Sequence, residues 1–182
     1  MIPDHAKKVF SWVLFDVYQW EQELFDGTTK TFEKVTRTGG SCVVAEINGK
    51  LLISKESQPS RGDFVCLPGG MIERWEKVDD GVKRELLEET GLESDNWIFL
   101  CYHKPGIKLE CERKIYLVRD CKKVAEPVLD AGEKITPELV EFEEFVDMVI
   151  SWTIDEPFLA KWLLEKHYRD GSWERVKKMM VG

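Results

Sequence analysis

Gly70-Met71-Ile72-Glu73-Arg74-Trp75-Glu76, then seven residues, then Arg84-Glu85-Leu86-Leu87-Glu88-Glu89-Thr90-Gly91-Leu92 is the stretch around which the chain reads. Its second half, residues 79–90, is expected to be a helix, because Val82 and Leu86 recur four apart and Gly91 offers a left-handed stop. Such a helix places Glu85, Glu88 and Glu89 within one turn of one another. Like charges so spaced destabilise a helix by about 0.2–0.5 kcal/mol per pair, so something must offset them. Solvent together with Lys83 and Arg84 is one offset; a divalent metal is the other. Magnesium takes oxygen ligands, commonly only one or two carboxylates, and completes its shell with water and substrate phosphates. The preceding Leu67-Pro68-Gly69-Gly70 loop favours the metal, since glycine lets the backbone approach a ligand closely and carbonyl oxygens there can join the shell. Arg84 can pair with Glu76 or Glu88 and fix the orientation of the carboxylates.

At every specified position these residues match the Nudix box: glycine, glutamate after five residues, then Arg-Glu-apolar-any-Glu-Glu-any-Gly-apolar. The chain therefore resembles the Nudix hydrolases, which implies metal-assisted attack of water on a diphosphate linked to a nucleoside. It also implies an α/β fold of the α+β type, a mixed β-sheet sandwiched between helices. Carried over residue by residue, Glu85, Glu88 and Glu89 are the metal-binding carboxylates, the Gly69 carbonyl is a backbone ligand, Arg84 is the orienter, and Mg2+ or Mn2+ is the cofactor. A competing class is a non-catalytic module that binds a nucleotide or a protein. Loss of box carboxylates is its usual sign, and here all are present.

Composition narrows the reading from outside the box. A chain of 182 residues, 43% hydrophobic, suffices for one globular domain. The net charge of -8 is spread along the chain, which argues against a nucleic-acid polymer as partner. No apolar run approaches the roughly 18 residues of a membrane span and the start lacks a signal-peptide core, so a cytoplasmic protein without a membrane partner is expected. Cys42, Cys66, Cys101, Cys111 and Cys121 are odd in number and mostly lie in apolar runs, as buried reduced thiols do. The spacing of the last three does not suit zinc, and the three histidines are scattered.

Working outward, residues 9–24 read as a strand in which Phe10, Trp12, Leu14, Asp16, Tyr18 and Trp20 share a face, with a turn at Asp26-Gly27 and a return over residues 31–37. Two readings of its aromatics stay open: packing of a hairpin on the main domain, or stacking on a nucleobase. Residues 41–47 and 51–55 form a hairpin about Asn48-Gly49, and residues 58–62 a polar loop before a strand at 64–67. Strands at 97–102 and 114–119 flank a loop carrying Pro105-Gly106 and Glu110. Residues 124–138 read as irregular because Pro127, Gly132 and Pro137 interrupt them; Asp130 and Glu133 lie there. Helices are expected over 142–150, over 157–168 with proline at its first turn, and over 173–180, the last a basic amphipathic helix that either docks or meets a membrane or partner. The division follows: residues 1–38 as an N-terminal antiparallel β extension that forms a dimer, 39–170 as the Nudix domain, 171–182 as a helical tail.

A narrower resemblance bears on the substrate. The N-terminal strands with Leu24-Phe25-Asp26-Gly27, Pro105-Gly106 with Glu110 five after the proline, and Gly132-Glu133-Lys134-Ile135 are similar to the ADP-ribose and nucleotide-sugar pyrophosphatase branch. That likeness implies a homodimer, Trp12 as the ring that stacks on adenine, Glu33 and Glu110 with Arg61 as substrate contacts, and Glu133 as general base, with Glu88 the second candidate. ADP-ribose would yield AMP and ribose 5-phosphate; nucleotide sugars and nucleoside triphosphates are the alternatives. Several positions depart from the branch: Cys66 and Gly69 replace its glutamate and alanine, Phe32 and Ser60 its arginines. Leu67-Pro68-Gly69-Gly70 is shared with members that cleave nucleoside triphosphates.

Overall fold

The structure, a computed structural model, describes residues 2–103, 106 and 108–182. In chain order, β1 (Lys7–Ser11), β2 (Phe15–Glu23) and β3 (Thr29–Arg37) precede β4 (Gly40–Ile47), β5 (Lys50–Gln58) and β6 (Gly62–Cys66). Helix α1 (Val78–Thr90) follows, then β7 (Leu92–Glu93), β8 (Asn96–His103), β9 (Leu109–Glu110), β10 (Arg113–Arg119), β11 (Lys122–Lys123) and β12 (Lys134–Val140). Helices α2 (Phe142–Ile150), α3 (Pro157–Asp170) and α4 (Trp173–Val181) close the chain.

The central sheet is mixed, in the order β12-β5-β4-β10-β8, with β6 also paired to β5. Its middle strands β4 and β10 are parallel and covered on both faces, which is why residues 42–45 of β4 read as a run of small apolar residues. Period two divides that run. Cys42 and Val44 join Phe142, Phe145, Leu159 and Leu163 in one core, while Val43 and Ala45 join Val82 and Leu86 of α1 in the other. The sheet is thus sandwiched between α1 and the C-terminal helices, the arrangement expected of the fold class. Val176 and Met180 of α4 lie in the first core, so this helix docks against the domain. Asn48 and Gly49 both take positive φ, as a two-residue hairpin turn requires.

A fork in the sheet makes room for the box. β5 pairs with β4 only at Leu51 and Lys50, then leaves it to pair with β6 from Ser54 opposite Cys66 to Gln58 opposite Gly62. Residues 67–70 enter the gap: the Val43 N–H donates to the Pro68 carbonyl (2.8 Å) and the Ser41 N–H to the Gly70 carbonyl (3.0 Å). At Gly69, φ is +139° and a Cβ would stand 2.2 Å from the Ser41 carbonyl oxygen, so only glycine fits.

Three expectations are corrected. Residues 9–24 are not one regular strand: the Trp12 N–H donates to the Phe15 carbonyl (2.9 Å) and β1 folds back on β2, with Lys8 opposite Tyr18 and Ser11 opposite Asp16. Asp16 drives the fold-back by accepting from Ser11 Oγ (2.5 Å) and Lys8 Nζ (2.9 Å). Phe10 and Trp12 consequently stack on each other, 6.2 Å apart, and do not continue the face of Tyr18 and Trp20. The second correction is in residues 124–138, whose last five residues open β12. Pro137 is tolerated there because β12 is an edge strand, paired with β5 on one side only. The polar loop expected over 58–62 is also shorter, since Gln58 and Gly62 already pair.

The N-terminal strands form their own sheet, β1-β2-β3-β9, in which β9 ties it to the domain. All five cysteines are free thiols, Cys42 buried and the others half-buried. Among the described residues no helix is long and apolar enough to cross a membrane.

Candidate active site

Helix α1 is rotated by the burial of Val82 and Leu86 against the sheet, and this brings Glu85 and Glu89 to the fork. Glu89 is buried and its Oε2 accepts from the Gly69 N–H (2.8 Å). Glu85 packs on Gly70 so closely that a Cβ there would meet its Oε2 at 2.6 Å. Arg84 gathers the remaining carboxylates. Its Nε and Nη2 donate to the two oxygens of Glu76 (both 3.0 Å), its Nη1 donates to Glu88 (2.8 Å), and the same nitrogen pairs with Glu85 (3.0 Å). The expected orienter is therefore in contact with Glu76, Glu85 and Glu88.

All of these groups except Glu76 line a cavity of about 420 Å³. Glu85, Glu88 and Glu89 reach it from α1, Gly69 from the loop, Glu133 and Asp130 from the segment before β12, and Arg61 from the β5–β6 turn. Glu56 of β5 completes the acidic lining. Burial pushes the Glu89 carboxyl up to about 8; the Gly69 N–H opposes, and Glu85, Glu56 and Glu133 add to the rise. Burial likewise raises Glu85, against Arg84, and raises Glu133, with Glu56 and Asp130 adding repulsion. So many hard oxygen donors held against their own repulsion suit a hard divalent cation. The described residues hold no group of three or more His, Cys, Asp or Glu side chains already gathered as a metal cage. Magnesium does not require one, since water and substrate oxygens fill most of its shell.

Not every expected site residue meets the cavity. Glu133, Arg61, Arg84 and the α1 glutamates do; Arg61 lies with its guanidinium 3.9 Å from the centre of the Phe64 ring. Trp12 is largely exposed at the β1–β2 turn, linked to the box loop because Arg74 donates to its carbonyl (3.3 Å). Glu33 accepts from Gln19 on the exposed N-terminal sheet (3.3 Å). Glu110 pairs with Lys34 (2.9 Å) and lines a separate depression of about 530 Å³ that shares Arg37 with the first cavity. Pro105 lies outside the described residues. A larger depression, about 710 Å³, lies behind α1 against Trp97; the box glutamates do not line it.

Glu56, Arg37 and Arg113 were not singled out from the sequence, yet all line the cavity. Glu56 had a legible signal: Leu52, Ser54 and Glu56 alternate on one buried face of β5, which ends on a charge. It accepts from Gln58 Nε2 and from the Cys66 thiol (3.2 Å). Arg37 and Arg113 carry no local signal, because each sits at a strand end whose neighbours are set by pairing.

Residues 35–162 match the NUDIX domain family. An ADP-ribose pyrophosphatase of Bacillus subtilis is 28% identical over 150 residues, 80% of each chain. An ADP-ribose pyrophosphatase of Methanocaldococcus jannaschii is 44% identical over 50 residues, a match that covers 28% of this chain and 29% of that protein. A methanol dehydrogenase activator of Bacillus methanolicus is 27% identical over 171 residues, 92% of this chain and 85% of its own. Among solved structures, an ADP compounds hydrolase superposes with a TM-score of 0.71 at 18% identity, covering 92% of this chain and 93% of that one; it shares the fold.

Proposed function

The chain belongs to the Nudix family, and from that footing we propose that it hydrolyses the diphosphate of ADP-ribose, releasing AMP and ribose 5-phosphate. One observation carries the chemistry: the α1 glutamates and Glu133, brought from distant parts of the chain, line one cavity that also holds arginines. The two ADP-ribose pyrophosphatases among the relatives support the choice of substrate.

In this reading Glu85, Glu89 and the Gly69 carbonyl hold Mg2+ or Mn2+, with Glu88 assisting. When bound, the cation supplies charge neutralisation at the diphosphate and a more acidic water. The protein's own groups do the rest. The Gly69 N–H and the Arg84 guanidinium fix the carboxylates in place, and Glu133 accepts the proton of the attacking water, with Glu88 the second candidate. Burial and neighbouring carboxylates raise Glu133 above an ordinary glutamate, which strengthens it as a proton acceptor. Trp12, Glu33 and Glu110 lie off the cavity of their own chain; in a homodimer they would serve the substrate bound by the second copy.

A second reading rests on Leu67-Pro68-Gly69-Gly70, which suits triphosphate cleavage. Chromatography of products after incubation with magnesium separates the two. AMP from ADP-ribose, well ahead of nucleotide sugars and nucleoside triphosphates, supports the proposal. Pyrophosphate from a triphosphate, with the diphosphates untouched, replaces it.

A further inference from the structure

Arg113 opens β10 opposite Gly40 of β4 and lines the cavity, while its Nη2 is paired with Glu156 Oε1. Glu156 stands immediately before α3 and is 6% exposed. A carboxylate so buried is costly unless paired. An apolar side chain in its place would serve packing as well; what the pair adds is a guanidinium held in one orientation at the cavity wall. Arginine offers five N–H donors in a rigid fork, so the contacts with Glu156 and the Cys42 thiol leave others for a ligand on a side chain that is 45% exposed. Arg37, three residues before Gly40 at the end of β3, lines the same cavity and is near enough that both arginines act on the Cys111 thiol. Arg84 is engaged with Glu76, Glu85 and Glu88 and Arg61 lies over Phe64, while Arg37 donates through Nε to the Thr38 carbonyl (3.4 Å) and faces the Phe15 ring, which leaves its Nη groups for a ligand. The cavity lining therefore joins the carboxylates of α1, Glu56 and Glu133 with two arginines from strand ends, Arg37 and Arg113.

We propose that Arg113, positioned by the buried Glu156 and accompanied by Arg37, binds the phosphoryl group of the diphosphate that the glutamate cluster does not hold. Arg113 is then a substrate-binding residue and Glu156 a positioning residue that acts through it. Each half of the diphosphate meets its own charge environment, which favours a diphosphate bridging two organic groups over a single phosphate ester. The inference rests on the diphosphate hydrolysis proposed above, and wild-type activity on ADP-ribose tests that reading separately.

The experiment compares wild type, Arg113→Ala, Arg113→Lys, Glu156→Gln and the double variant Arg113→Ala/Glu156→Gln in steady-state kinetics with ADP-ribose and magnesium. Binding of ADP-ribose to the chelator-treated proteins is measured alongside by calorimetry. Arg113→Ala is expected to raise KM about tenfold or more with a smaller change in kcat, and to weaken metal-free binding in proportion. Glu156→Gln should raise KM several-fold, and the double variant should match Arg113→Ala, because Glu156 has no effect without the guanidinium it holds. Arg113→Lys keeps the charge opposite Glu156 but loses the fork, so it should fold like wild type and still show a raised KM. An unchanged KM in Arg113→Lys and Arg113→Ala, or additive effects in the double variant, overturns the assignment. A wild type inactive on every diphosphate overturns instead the reading on which it rests.

Discussion

Glu89 shows how one side chain serves both fold and site. Its carboxylate accepts from the Gly69 N–H and so pins the box loop to α1, yet its charged form is disfavoured by burial and by Glu85, Glu56 and Glu133. Glu89→Gln keeps an acceptor for that N–H and removes a carboxyl whose charged form the pocket disfavours. The variant should fold with a thermal midpoint at or above that of wild type. Its turnover with magnesium should fall more than about a hundredfold, since loss of groups that merely orient metal ligands already costs about 10–100-fold. Undiminished turnover would remove Glu89 from the metal site. Asp16 is the counterpart in the N-terminal strands. Bonds from Ser11 and Lys8, and from Arg74 of the box loop, hold its carboxyl at about 2, below the ordinary 3.8. A depressed carboxylate contributes stability that is fully present above pH 3.8 and lost as pH falls through about 2. The gap in thermal midpoint between wild type and Asp16→Asn should thus hold from pH 7 to about 5, narrow as pH falls from there, and be mostly gone at about pH 2, measured by circular dichroism.

Elements were legible wherever the local pattern alone decides them. Helix α1 ends where Gly91 was expected to stop it, with φ +69° and its N–H donating to the Leu87 carbonyl (2.7 Å). A Cβ at Gly91 would lie 2.0 Å from the Ala125 carbonyl oxygen, so Gly91→Ala adds a backbone clash to a left-handed conformation that costs about 1–2 kcal/mol by itself. Chemical denaturation should show a loss greater than that. A loss no larger than that would mean that residues 124–126 shift to make room. Where pairing overrides local preference, the sequence was a poorer guide. Pro137 reads as a breaker, but an edge strand spares the one hydrogen bond it cannot make. Residues 9–24 read as one strand because they are rich in Val, Phe, Trp and Tyr, and only the three donors converging on Asp16 reveal the fold-back. The site divides in the same way. The glutamates of α1 sit on one helix at helical spacing and were legible, whereas Arg37, Glu56, Arg113 and Glu156 come together only through the order of the strands and the docking of α3.

For the whole molecule, the open question raised by the fold is why the N-terminal sheet leaves so much apolar surface in water. Val9 and Phe10 are about half exposed, Trp12 is 70% and Val13 77% exposed, all on or beside β1, the outer strand of that sheet. A long apolar edge is a liability unless something covers it. The proposed homodimer covers it with a second copy, in keeping with the preference of soluble oligomers for twofold symmetry. It also gives Trp12 and Glu33, which do not line the site cavity of their own chain, a substrate to contact. Light scattering should then return about twice the 21.2 kDa of one chain. Phe10→Lys combined with Val13→Lys puts like charges into the proposed contact and should shift the mass to that of a single chain. Because the α1 glutamates and Glu133 all come from one chain, this monomer should keep its metal-dependent chemistry and lose affinity, with KM for ADP-ribose raised and kcat less affected. A monomeric wild type with full activity would return Trp12 and Glu33 to the role of plain hairpin packing.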